Sequence, residues 1–157
     1  MVPIYQQKQR LDDLFRAASF VSDIEMRSHW ARYLCVLVSG FLENSVELCL
    51  AEYSKRGSNT PVSNFVSRKL REFQNPRMSA ILELLGSFNP VWKTEMDAVT
   101  QGQLSDSVNS IVGNRHKIAH GESVSLSMGS LSGYYNDAVK VVELLQKTCG
   151  LSVQQNP

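Results

Sequence analysis

The sequence predicts an all-α fold, a single up-and-down helical bundle with a long second helix and short accessory helices. Three observations lead there. Apolar residues recur at steps of three and four along most of the chain, the spacing of a helix face. The alternating β-branched runs that mark half-buried strands are absent. Helix starts and stops are spaced to suit short connections: Arg56-Gly57-Ser58-Asn59-Thr60-Pro61, Asn75-Pro76, Asn89-Pro90 and Gly121. At 157 residues the chain suits one domain, residues 1–157 with a core of about 22–147.

The elements follow in order. A first helix is expected over Gln6 to Phe20 and a long second one over Ser22 to Lys55. The second carries a stripe of Trp30, Leu34, Leu37, Phe41, Asn44 and Leu48, the alternating four-three steps of a packed seam. Trp30, Tyr33 and Phe41 follow helical spacing and read as core. Gly40, in mid-helix, costs about 1 kcal/mol in propensity and suggests the close approach of another helix. Shorter helices are expected over Val62 to Phe73, Pro76 to Leu85 (Asn75 as cap) and Val91 to Thr100. A sixth covers Leu104 to Ala119, stopped by Gly121, and a polar loop from Glu122 to Ser130 leads to the last, Leu131 to Lys147.

Composition narrows the function classes. Hydrophobic residues make 43% and charged residues 20%, ordinary for a soluble globular protein. A net charge of +1 provides no global field for nucleic acid, so any RNA contact must be local. Cys35, Cys49 and Cys149 are too few and scattered for a disulfide framework or a zinc site. Cys35 and Cys49 would lie roughly 21 Å apart on one helix, too far to bridge. The N-terminus has no apolar signal region, and the most apolar stretch, Tyr33 to Leu42, is about half the length of a membrane span. A cytoplasmic protein is expected, away from membranes. With no Gly-rich phosphate loop, spaced Asp pair or Ser-His-Asp arrangement, a kinase, nucleotidyltransferase or two-metal nuclease is disfavoured, and neither metal nor cofactor is expected.

The informative segment runs from Val108 to Gly121. Its apolar stripe is Val108, Ile111, Val112, Ile118 and Ala119, and the missing member of that stripe is Arg115. Burying an unpaired guanidinium costs several kcal/mol, so Arg115 must face a carboxylate, an interface or a polar cleft. His116 and His120 lie one turn apart, with His120 at the helix C-terminus, where the helix dipole favours a cation. Arginine and histidine gathered at a helix end suit phosphodiester chemistry: imidazole moves protons near neutral pH, and a guanidinium grips phosphoryl oxygens bidentately. The spacing alone is weak. Nine Arg and three His give an Arg-x4-His somewhere by chance with a probability of roughly 0.15. A core arginine paired to Glu43 or Glu47 is a structural alternative.

The segment Asn114-Arg115-His116-Lys117-Ile118-Ala119-His120-Gly121 resembles the Arg-x(4–6)-His signature of the HEPN superfamily. Further stretches, His29 to Leu34, Gly40 to Asn44, Phe73 to Pro76, Leu82 to Phe88 and Tyr134-Tyr135, resemble its RiboL-PSP-HEPN branch, over about Met26 to Leu145. The resemblance implies a helical bundle that dimerises so that two motifs meet in one composite cleft. It also implies a metal-independent endoribonuclease of a toxin, antiphage or RNA-repair-linked system, with an antitoxin or other regulatory protein as a possible partner. Carried over, Arg115 would stabilise the phosphorane and His120 would be the general acid/base, leaving a 2′,3′-cyclic phosphate. His116 and Asn114 would orient the phosphate or the catalytic histidine, and DNA, lacking the 2′-hydroxyl, would be inert. Glu122 stands where toxins modified by a partner nucleotidyltransferase carry Tyr, so that regulation is not expected.

Around the motif, Lys117 and the basic run Lys55 to Arg77, with Arg68, Lys69 and Arg71, are candidate contacts to the RNA backbone, against the default of a solvated face. Glu43, in the second helix, is a candidate support for Arg115. Two rivals to the enzyme remain: a non-catalytic HEPN module binding RNA, nucleotide or a protein partner, and a structural dimerisation domain.

Overall fold

The computed structural model describes residues 2–152, and these form seven helices and no strand. They are α1 (Ile4–Ser19), α2 (Ile24–Gly57), α3 (Thr60–Leu70), α4 (Met78–Phe88), α5 (Pro90–Thr100), α6 (Gln103–Ala119) and α7 (Met128–Thr148). The all-α bundle with a long second helix is therefore as the sequence reads. Caps fix most of the starts: Asp23 accepts from the Met26 amide, Asn59 from Val62, Asn89 from Val91 and Ser127 from Ser130.

One start differs. Asn75 does not cap α4, which begins at Met78 rather than Pro76. Asn75 takes the left-handed backbone (φ 55°), a conformation that asparagine tolerates. The Met78 amide is instead capped across the bundle by Asn109 Oδ1 of α6, at 3.0 Å. Sequence reasoning looks for caps nearby, and this one lies 31 residues away.

Helix α2 is the axis of the bundle, packed by α1, α3, α6 and α7. Its buried face is Ala31, Leu34, Cys35, Val38, Phe41, Leu42, Val46, Cys49 and Leu50. The expected seam is displaced: Asn44 is exposed, Trp30, Leu37 and Leu48 are half-buried, and Tyr33 is 48% exposed. Four packing partners cover an arc wider than a two-helix seam, and the arc is centred on the small and branched residues beside the aromatic stripe. Nor does another helix crowd Gly40, around whose Cβ position there is open space.

By length and composition α2 also passes for a membrane span, because its most apolar 18-residue window extends well beyond Tyr33 to Leu42. Within the bundle 56% of that window is buried, the use a core helix makes of its apolar surface.

Two packing contacts fix the direction of α6. Cys35 of α2 donates its thiol to Ile111 O at 3.5 Å, while Glu43, two turns further along α2, accepts from the Asn75 amide close to where Asn109 caps Met78. Trp30 and Ile118 pack against one cluster. Helix α6 thus runs antiparallel to α2. Helix α7 runs parallel to it, with Leu131 packed near Leu34, the Tyr135 ring 6.5 Å from Phe41, and Gly150 O accepting from Arg56.

The core is divided in two. The larger part gathers Leu42, Val46, Leu50, Ile81, Leu85, Ile111, Val141 and Leu145 with their neighbours. A smaller cluster of Ala18, Ala31, Leu34, Cys35, Leu126, Met128 and Leu131 lies under the C-terminal end of α6, where Ile118 and Val124 pack onto it. Cys49 and Cys149, distant in sequence, meet in the larger core as free thiols, and the neighbouring Cys149 side chain, with burial, pushes the Cys49 thiol far up.

Candidate active site

The motif occupies the last two turns of α6. Val108, Ile111 and Val112 are buried, and one turn further on the same face Arg115 is half-buried. Helix α6 stops through a Schellman arrangement: the Gly121 amide donates to Ile118 O (3.1 Å) and the Glu122 amide to Lys117 O (2.9 Å). Gly121 supplies the left-handed residue this closure requires (φ 70°). His120 is the C-cap itself, its amide bonded to His116 O and Lys117 O.

This ending sets the histidines. His116 and His120 are both exposed, with ring centroids 4.4 Å apart and tilted by 58°. Lys117 is exposed beside them. The four residues Arg115, His116, Lys117 and His120 thus bring one fixed positive charge, one mobile one and two imidazoles to a single helix end.

The sequence offered Glu43 or Glu47 as the partner of Arg115, and the structure corrects this. Glu43 Oε2 accepts from the Asn75 amide at 3.2 Å, holding the left-handed turn before α4. Neither glutamate pairs with Arg115, which forms no ion pair or side-chain hydrogen bond among the described residues. The Cys35 thiol of α2 lies by the Arg115 backbone; burial pushes it up to about 11 against the opposing effect of the Arg115 backbone amide. Asn114 is turned back on its own helix, Nδ2 donating to Ser110 O at 2.9 Å, which leaves its carbonyl oxygen and one N–H for other work.

A second arginine stands at the same end, and sequence reasoning did not single it out. Arg32 of α2 is half-buried, and its Nε is shut off from solvent with no hydrogen-bond partner. Leaving such a donor unsatisfied costs about 1–3 kcal/mol. No spacing rule would have flagged it, because its position depends on how α2 crosses α6.

The basic run is dispersed. Arg68, Lys69 and Arg71 are exposed at the end of α3 and just beyond, and α3 packs principally on α2. Lys69 is engaged with Glu72 at 3.2 Å. No contact brings these three to the motif. A groove of about 720 Å³ elsewhere, between α1, α2 and α7, contains no motif residue; of its charged residues Lys8 pairs with Asp12, and Glu52 with Lys55 just outside it. Among the described residues no group of three or more His, Cys, Asp or Glu is placed to hold a metal ion.

An all-α bundle with arginine and histidine at the solvent end of a core helix is the architecture of a HEPN-class domain. The RiboL-PSP-HEPN family model matches residues 4–150, nearly the whole chain, and the protein belongs to that family. Comparison with curated proteins and with solved structures returned no match.

Proposed function

We propose that this protein is an endoribonuclease that cleaves RNA without a metal, with Arg115 and His120 in the roles that the family's motif suggests. The observation that carries the reading is the state of Arg115. It is half-buried on the inward stripe of α6 without a carboxylate, next in sequence to one exposed imidazole (His116) and just over a turn from another (His120). A structural arginine would be paired; an arginine awaiting a phosphate is not.

His120 takes the proton of a 2′-hydroxyl, and the 2′-oxygen forms a bond to the adjacent phosphorus. The bond from phosphorus to the 5′-oxygen breaks, and that oxygen takes a proton from an imidazolium. The products are a 2′,3′-cyclic phosphate and a 5′-hydroxyl. Arg115 grips the non-bridging oxygens as charge grows on them, the differential stabilisation that lowers the barrier. His116 and Lys117 flank the phosphate.

His116, Lys117 and His120 are open to solvent at this end, and a homodimer would enclose them in a cleft. Phe20, Ile24 and Tyr33 stand 82%, 86% and 48% exposed around the α1–α2 turn and the outer face of α2, an apolar surface that a second copy would cover. The setting we propose is cytoplasmic, in a toxin, antiphage or RNA-repair-linked system under the control of an antitoxin or other protein.

The test is cleavage of a mixed-sequence RNA in excess EDTA. Wild type is expected to cut and leave cyclic-phosphate ends, and His120→Ala and Arg115→Ala to lose about 10²–10⁴ in rate while folding normally. A folded wild type as inert as its variants would sink the nuclease reading in favour of a binding module.

A further inference from the structure

The unpartnered Arg32 side chain carries a further inference. Cys35 and Ile111 touch across the α2–α6 seam. One turn towards the start of α2 from Cys35 is Arg32, and one turn towards the end of α6 from Ile111 is Arg115. Because the helices are antiparallel, both steps lead to the same end of the bundle. The two guanidinium groups therefore belong to neighbouring levels of one seam, on the side that ends in His116 and His120.

Acidic residues are missing from this seam. Between Glu25 and Glu43 helix α2 has none, and α6 has only Asp106, at its far end. The acids at the start of α2 are engaged, Asp23 with the Met26 amide and Glu25 with His29, 4.0 Å from its Nε2. Arg32 thus shares with Arg115 a half-buried position without a carboxylate, and its Nε is hidden from water as well. Two like charges on one seam are held together by an anion that both can reach.

We propose that Arg32 is a second anion-binding residue of this site, gripping the RNA phosphate next to the one that Arg115 holds. The anion-binding part rests on the seam alone, and the identity of the anion as RNA rests on the function proposed above. The assignment makes the recognised unit a dinucleotide step rather than a single phosphate, with Arg32 serving binding and Arg115 serving the transition state.

The experiment compares wild type with Arg32→Gln, Arg32→Lys and the control Arg10→Gln, an exposed arginine on α1. Each is titrated with an all-ribose strand and with the same sequence made of 2′-deoxy residues, which cannot be cleaved. Arg32→Gln is expected to bind the inert strand roughly tenfold or more weakly, to lower the slope of log affinity against log salt by about 0.7, and to raise KM more than it lowers kcat. Arg32→Lys recovers the salt slope but only part of the affinity, since it keeps the charge and loses the fork. The melting temperature of Arg32→Gln stays at or above wild type, because a buried donor without a partner gives the folded state nothing. Unchanged binding with a lower melting temperature would overturn the assignment and make Arg32 structural. Wild type that binds both strands and cuts neither, with binding lost in Arg32→Gln, would remove the nuclease reading and leave Arg32 in place. Cleavage by Arg32→Gln with unaltered KM and kcat would do the reverse, and no binding of either strand by wild type would overturn both.

Discussion

The two parts of the core are built to different standards. In the larger one Leu42, Val46, Leu50, Ile81, Leu85, Ile111 and Leu145 are all fully enclosed, branched side chains interlocked between four helices. The smaller one, beneath the motif, has two alanines and a cysteine among its seven buried members, and its rim leaves Phe20 and Ile24 largely in water. Charged groups divide the same way, although the larger core also encloses one hydroxyl without a partner, Ser45 Oγ. At the larger end Asp137, 3% exposed, accepts from Gln103, Ser107 and Lys140, a closed account between α6 and α7. At the smaller end Arg32 and Arg115 have nothing to accept from them. The denser packing lies away from the motif, and the unpaired cations sit where a ligand would answer them.

That contrast can be tested from the strong end to the weak. Leu42→Ala removes a fully buried side chain from the larger core and is expected to cost about 2–5 kcal/mol by denaturant unfolding. Turnover per folded molecule should be unchanged; a selective loss of cleavage would mean that the two regions are not separable.

Asp137→Asn is expected to cost about 2 kcal/mol. Burial alone would raise the carboxyl's pKa, but hydrogen bonds from Gln103, Ser107 and Lys140 and the Lys140 charge outweigh it, holding it below the usual 3.8. A depressed folded value stabilises the protein above the unfolded pKa and ceases to as pH falls through the folded one. Wild type should therefore exceed the variant at neutral pH, begin to lose its lead as pH falls past 3.8, and converge on it only below the depressed folded value, as urea midpoints would reveal. A gap that persists in acid would mean the ionised form is not what matters.

The smallest effect on stability, and the sharpest on function, belongs to Gly121→Ala. An L side chain at φ 70° costs about 1–2 kcal/mol and loosens the closure that sets His120. Cleavage is expected to fall further than in either core variant. Equal activity at equal folded concentration would show that the helix end need not be fixed.

Much of this was legible in the sequence because it is local. Asn59 with Pro61, Asn89 with Pro90, and Gly121 mark helix boundaries through interactions within a few residues. Arg115 and His120 were legible for the same reason, since one helix carries both. What required the fold was everything settled between distant segments. The Asn109 cap on α4, the Glu43 contact with Asn75, the meeting of Cys49 with Cys149 and the isolation of Arg32 depend on the crossing of helices. The aromatic stripe of α2 misled in part: Phe41 is buried and Trp30 packs on the smaller cluster, but Tyr33, met edge-on by Trp30 of its own helix, stays 48% exposed because no other helix covers it.

The smaller cluster also has a temporal consequence. It joins residue 18 and residues 31–35 to residues 126–131, so its members come from nearly opposite ends of the chain. During synthesis, which proceeds at about 5–20 residues per second, the end of α6 emerges before the α7 residues on which it will rest. The nascent chain therefore carries the motif without its full seat, and the arrangement of Arg115, His116 and His120 waits for the start of α7 to emerge.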